Sequence, residues 1–135
     1  MRYVSTRGRA PERGFADILL SGLADDGGLY VPAHYPQVAR AELESWRALS
    51  YAELATEIIA KFATDLPREV LARLCHATYS ASVYGNGRAD SRIEDIAPLR
   101  WLEPGLGLLE LSNGPTLAFK DMAMQLLGGL FEHVL

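Results

Sequence analysis

A lysine is the residue best placed to do chemistry. Before Lys120, Leu108-Leu109-Glu110-Leu111 reads as a short buried strand, and Asn113-Gly114-Pro115 ends it with residues that suit a turn and cannot continue a ladder. After it, Met122, Ala123, Leu126, Leu127, Leu130, Phe131 and Val134 recur at helical spacing, so Lys120 falls at the mouth of a helix. A helix start presents unpaired N–H groups and a partial positive charge, which disfavour an ammonium and welcome an anion. A neutral amine there can attack a carbonyl and form a Schiff base. The same residues also fit a solvated surface lysine balanced by Asp121. Thr116 and Asp121 are close enough in sequence to orient the lysine or a ligand, but helix capping and first-turn charge compensation account for both.

The other reactive residue types form no comparable pattern. Cys75 is the single cysteine, with helical apolar neighbours, and reads as a small buried hydrophobe. Together with the widely spaced His34, His76 and His133 it makes no metal-ligand set, so no metal is expected. His76 lies beside an apolar helical stripe and is read as structural. Asp25-Asp26-Gly27-Gly28 could hold a cation, but a tight turn requires the same residues. Tyr84-Gly85-Asn86-Gly87-Arg88-Ala89-Asp90 is a polar loop without the glycine spacing of a phosphate-binding fingerprint.

The elements that must position Lys120 follow from periodicity. Tyr3-Val4-Ser5-Thr6 predicts a short strand, and Phe15, Ile18, Leu19, Gly22 and Leu23 give the stripe of an amphipathic helix. The Asp25–Gly28 turn leads to a second strand, Leu29-Tyr30-Val31, closed by Pro32. Ala39 to Trp46 suits a short helix. Ser50-Tyr51-Ala52-Glu53 is a capping box that opens a longer one, with Tyr51, Leu54, Ile58 and Phe62 as its buried stripe. Asp65-Leu66-Pro67 starts the next helix, whose apolar face is Val70, Leu71, Leu74 and Cys75. Ile96 to Leu102 and Gly107 to Leu111 flank Glu103-Pro104-Gly105 and predict a hairpin around a type II turn. Gly128-Gly129 in the last helix suggests a close packing point, and the absence of a C-cap makes the chain read as cut after Leu135. The fold class is therefore α+β, with more helix than strand. The apolar last helix is expected to leave part of its surface exposed.

With 135 residues, 49% of them hydrophobic, the chain can build a core for one domain, or for one small domain and the start of another. A formal net charge of −4 without a basic block gives no reason to expect nucleic acid or an anionic membrane. No apolar run nears the roughly 20 residues of a membrane span, and Met1-Arg2-Tyr3-Val4-Ser5 lacks the apolar core of a signal peptide. A cytoplasmic location is the expectation.

Gly114-Pro115-Thr116-Leu117-Ala118-Phe119-Lys120-Asp121, continued by Met122-Ala123-Met124-Gln125, resembles the cofactor-lysine segment of the threonine synthase family. Tyr3-Val4-Ser5-Thr6-Arg7-Gly8 and Leu23-Ala24-Asp25-Asp26-Gly27-Gly28-Leu29-Tyr30-Val31-Pro32 resemble the start of the same enzymes, so three segments match in order. Asn113 departs from the histidine that many members carry there, and no role is carried over to it. The resemblance implies an enzyme of the tryptophan synthase beta-like, fold-type-II group, with pyridoxal phosphate bound covalently to Lys120 as both catalytic and cofactor-binding residue. It implies a helical N-terminal domain over residues 1–95, with residues 96–135 beginning the α/β cofactor domain. It implies conversion of O-phospho-L-homoserine and water to L-threonine and phosphate. The remainder of a longer chain would complete the site and bind the two phosphates, so these 135 residues alone are expected to be inactive and to bind the cofactor weakly. Two alternatives stand beside this reading: a noncatalytic helical module that binds a partner protein through its apolar faces, and another fold-type-II enzyme such as a hydroxy-amino-acid dehydratase.

Overall fold

The computed structural model describes residues 1–85 and 95–135. Most of the polar loop expected from Tyr84 to Asp90, and the boundary expected near residues 85–95, lie outside the described residues. Two short antiparallel sheets and five α-helices make up the described part, an α+β fold with more helix than strand.

The chain starts with β1 (Tyr3–Ser5), passes through α1 (Phe15–Ser21) and returns in β2 (Tyr30–Pro32), with Tyr3 opposite Pro32 and Ser5 opposite Tyr30. The turn between α1 and β2 has Gly27 at φ +75°, a conformation glycine adopts at no steric cost. Asp26 fixes it: its carboxylate accepts from Ser5 Oγ at 2.7 Å, Gly28 N–H at 2.9 Å and Arg9 N–H at 2.9 Å. With Asp26 so engaged and Asp25 paired to Arg13 at 3.0 Å, these carboxylates serve the turn rather than a cation. The expected stripe of α1 is shorter than its spacing suggests. Gly22 caps the helix at φ +70° and Leu23 beyond it is 57% exposed, because the chain leaves the core at that glycine. Asp65, distant in sequence, closes the other end of α1 by accepting the Ala16 N–H at 3.0 Å.

A short helix, α2 (Arg40–Ser45), passes through a 3-10 turn into α3 (Tyr51–Phe62), where Ser50 and Glu53 form the expected capping box. The buried face of α3 is turned from the one expected. Ala52 and Thr56 are buried and Ala55 and Ile59 pack on the core, whereas Ile58 is 42% exposed. Small residues explain the rotation: α3 packs against α4 (Arg68–Thr78), and Ala52 with the capping Ala63 leaves room for Leu71 and Cys75 to fill the contact. Tyr51, Leu54 and Phe62 are half-buried on the flanks. Helix α4 presents Leu71, Cys75 and Leu74 to the core as its spacing predicts, with His76 outside. Burial pushes the Cys75 thiol pKa up, only partly offset by the Thr56 hydroxyl, as suits a thiol that acts as a hydrophobe.

Strands β3 (Leu99–Glu103) and β4 (Leu106–Leu109) form the expected hairpin, with Gly105 at φ +84° in its turn. This strand pair is not buried, in contrast to the expectation for Leu108 to Leu111. Trp101 is 66% exposed, and Leu99, Leu102, Leu106, Leu108 and Leu109 are all exposed, so apolar side chains stand on both faces. At Glu110 and Leu111 the chain becomes half-buried again. Helix α5 (Asp121–Val134) then returns to the core, where Leu126 and Leu130 join Leu71 and Cys75. Gly129 is the close point of this packing, since a Cβ there would lie 3.1 Å from Leu74 Cδ2, while Gly128 faces open space. The last helix is thus anchored, although Met124 on it is exposed, and the hairpin and Phe119 leave further apolar side chains exposed.

Candidate active site

Lys120 immediately precedes α5, with helical backbone angles (φ −61°, ψ −25°), and its carbonyl accepts the N–H groups of Ala123 and Met124. The lysine is exposed and lines an open cavity of about 370 Å³ together with Tyr51, Leu111, Phe119, Met122, Ala123 and Met124. A second cavity of about 360 Å³ shares Leu111 with the first and is lined by Leu108, Leu109, Glu110, Ser112, Asn113 and Leu117. Asn113 is 4% exposed, and its Nδ2 is buried without a hydrogen-bond partner, an arrangement that costs stability unless an acceptor reaches it.

The segment before Lys120 is a compact loop, not a simple helix cap. Leu117 N–H donates to Gly114 O at 3.1 Å, and Leu117 itself sits at φ +59°, a left-handed conformation unusual for leucine. Asp121 is 3% exposed beneath this loop, and its Oδ2 accepts both Thr116 N–H at 2.8 Å and Thr116 Oγ1 at 2.9 Å. Thr116 therefore does not cap the helix as expected but donates its N–H and hydroxyl to Asp121, which stands in the first turn of α5 as expected. Burial pushes the Asp121 carboxyl pKa up, but the hydrogen bonds from the Thr116 backbone and hydroxyl, Gln125 and Ala118 outweigh it and leave the group below its ordinary value.

Tyrosines from other elements hold the start of α5. Tyr84 Oη donates to the Asp121 carbonyl at 2.7 Å and Tyr79 Oη to the Met122 carbonyl at 2.8 Å. Tyr79 also packs edge-on to Tyr51 at 5.0 Å and lies 5.9 Å from Tyr84. Desolvation, with the neighbouring Asp121 and Tyr51, pushes the Tyr84 phenol up to about 12, so it remains a donor across the neutral range. By its sequence neighbours Tyr84 is expected in a polar loop. It is 2% exposed, and the aromatic type just before Gly85 was the one available signal. Tyr51 was expected in a core stripe; it instead reaches the rim of the Lys120 cavity.

The sequence model of the family described as "Threonine synthase N terminus" matches residues 2–79. Among curated relatives, threonine synthase of Methylobacillus glycogenes is 52% identical over all of this chain and 28% of its own length. That of Corynebacterium glutamicum is 48% identical, with the same coverage of both chains. A crystal structure of PLP-bound threonine synthase from Brucella melitensis is 42% identical and superposes with a TM-score of 0.86, covering 99% of this chain and 27% of that one. The chain thus spans little more than a quarter of the length of the relatives it matches.

Proposed function

The chain belongs to the threonine synthase N-terminus family, and from that premise we propose that it forms the first part of a pyridoxal-phosphate-dependent threonine synthase whose cofactor is held by Lys120. The observation that carries the proposal is an exposed lysine set at the rim of an open, largely apolar cavity, directly before a helix. The lining suits an aromatic aldehyde: Tyr51, Phe119, Met122 and Leu111 offer flat or flexible apolar contact, and Lys120 Nζ offers the nucleophile. The unpaired Asn113 Nδ2 at the adjoining cavity is a donor that fits a ligand rich in acceptors. None of the other residues lining the Lys120 cavity carries a positive charge, so groups beyond these would be needed to hold the cofactor and substrate phosphates.

In this reading the cofactor supplies an electron sink when bound, and the protein supplies orientation. Lys120 Nζ would hold the cofactor in the resting enzyme and, once freed from it as an amine, would carry protons to and from the substrate carbons as phosphate leaves O-phospho-L-homoserine and water adds to give L-threonine. Residues 96–135 begin the cofactor-binding domain, and α5 joins it to the helical part through the shared Leu126 and Leu130 core. The 135 residues alone are expected to be inactive, and the reading carries with it a cytoplasmic location. The test is a phosphate-release assay on a protein of the relatives' full length. Lys120→Ala should abolish release from O-phospho-L-homoserine while leaving the melting temperature close to that of the parent, since an exposed lysine contributes little to stability. Undiminished release by the variant would refute the assignment.

A further inference from the structure

Asp121 is more deeply buried than a residue that merely balances a helix end needs to be. One of its oxygens accepts two hydrogen bonds from a single residue, Thr116, at 2.8 and 2.9 Å, while the other faces Gln125 Nε2 at 3.4 Å. Gly114 passes so close above it that an added Cβ would lie 2.5 Å from Asp121 Cβ. Between Gly114 and Lys120 the chain includes Leu117 in the left-handed region at φ +59°, a conformation that persists only where the surroundings over-determine it. What over-determines it is on both sides: Leu117 N–H closes onto Gly114 O, and Thr116 is tied to Asp121 by backbone and side chain. Tyr84 in turn fixes the Asp121 backbone.

We infer that Asp121 is a positioning residue: its buried carboxylate clamps Thr116 and so holds the 114–119 loop in the strained form that sets Lys120 at the rim of its cavity. This rests on the reading of Lys120 as the reactive lysine. A carboxylate suits the task because it offers acceptors only, and every neighbour that touches it donates. An amide would turn an NH₂ group toward either Thr116 or Gln125. The clamp does not touch the reacting atoms, so its loss should misplace the amine without removing it.

The hydroxyl of Thr116 gives the cleanest handle, because Thr116 is exposed and Thr116→Val keeps its shape and its N–H. The experiment compares Thr116→Val, Thr116→Ser and Asp121→Asn in the full-length protein by amide hydrogen exchange, steady-state kinetics and melting temperature. In Thr116→Val, the amides of residues 116–119 should exchange about tenfold faster, the equivalent of one lost hydrogen bond, with α3 and α4 unchanged. The kcat should fall by up to about 100-fold through misplacement of the amine, with KM little altered, and Thr116→Ser should restore both. Asp121→Asn should show the larger exchange effect. Unchanged exchange in Thr116→Val would overturn the clamp, and faster exchange with an unchanged kcat would overturn the positioning role. Activity retained by Lys120→Ala would instead remove the reading beneath it, and that variant is measured separately.

Discussion

At the scale of single residues, Lys120 adjoins Asp121, whose carboxylate accepts from Thr116 and whose carbonyl accepts from Tyr84. Lys120 stands out because a strand-breaking Asn-Gly-Pro and a helical stripe meet around it, all within a few positions. The burial of Asp121 depends on Tyr84, 37 residues away in sequence, and on the close pass of Gly114, neither of which leaves a periodic signal. That close pass makes Gly114→Ala a sharp test. The new methyl would meet the Cβ of a buried side chain, and overpacking of this kind costs about 1–3 kcal/mol, which urea denaturation should read as a lower midpoint. Asp26 offers a second test at this scale. Its hydrogen bond from Ser5, opposed by desolvation and reinforced by the N–H groups of Gly28 and Arg9, lowers its carboxyl pKa to about 2. A lowered folded-state pKa means stability that is present above the unfolded-state value of about 3.9 and lost as the pH falls through about 2. The turn between α1 and β2 should therefore loosen within that window, and Ser5→Ala should move the Asp26 titration upward, as followed by carboxyl carbon NMR shifts.

At the scale of elements, ends were easier to read than faces. The Ser50–Glu53 capping box, the Gly27 and Gly105 turns and the proline at the head of α4 all lie where local chemistry dictates. The face of α3 differs from the expected one because large side chains look like core, whereas close helix contact selects small ones such as Ala52 and Thr56. Leu108 and Leu109 likewise look buried by type, yet nothing in their spacing tells a covered strand from an uncovered hairpin. The cap supplies the prediction here. Ser50 Oγ accepts the Glu53 N–H and Glu53 accepts the Ser50 N–H, so Ser50→Ala should cost about 1 kcal/mol, measured by chemical denaturation.

Over the whole molecule, α3, α4 and α5 enclose one core of Ala52, Ala63, Leu71, Cys75, Leu126 and Leu130, while the hairpin carries apolar side chains on both faces. The core anchors the helix that follows Lys120, so the lysine is held from below by packing and from one side by the Thr116–Asp121 bond. The hairpin is the part of the fold least explained by its own contacts. The 135-residue chain should bind a hydrophobic dye there, and Trp101→Glu with Leu108→Glu, one from each face, should weaken that binding; the absence of dye binding to the parent would count against an open apolar surface.

Covalent capture of the cofactor bears most directly on the central claim. A protein of the relatives' full length, incubated with pyridoxal phosphate and reduced with borohydride, should carry the pyridoxyl group on the peptide that contains Lys120, because a reduced imine cannot hydrolyse. Peptide mass spectrometry that finds the group on Lys61 or any other lysine, with Lys120 unmodified, would contradict the account.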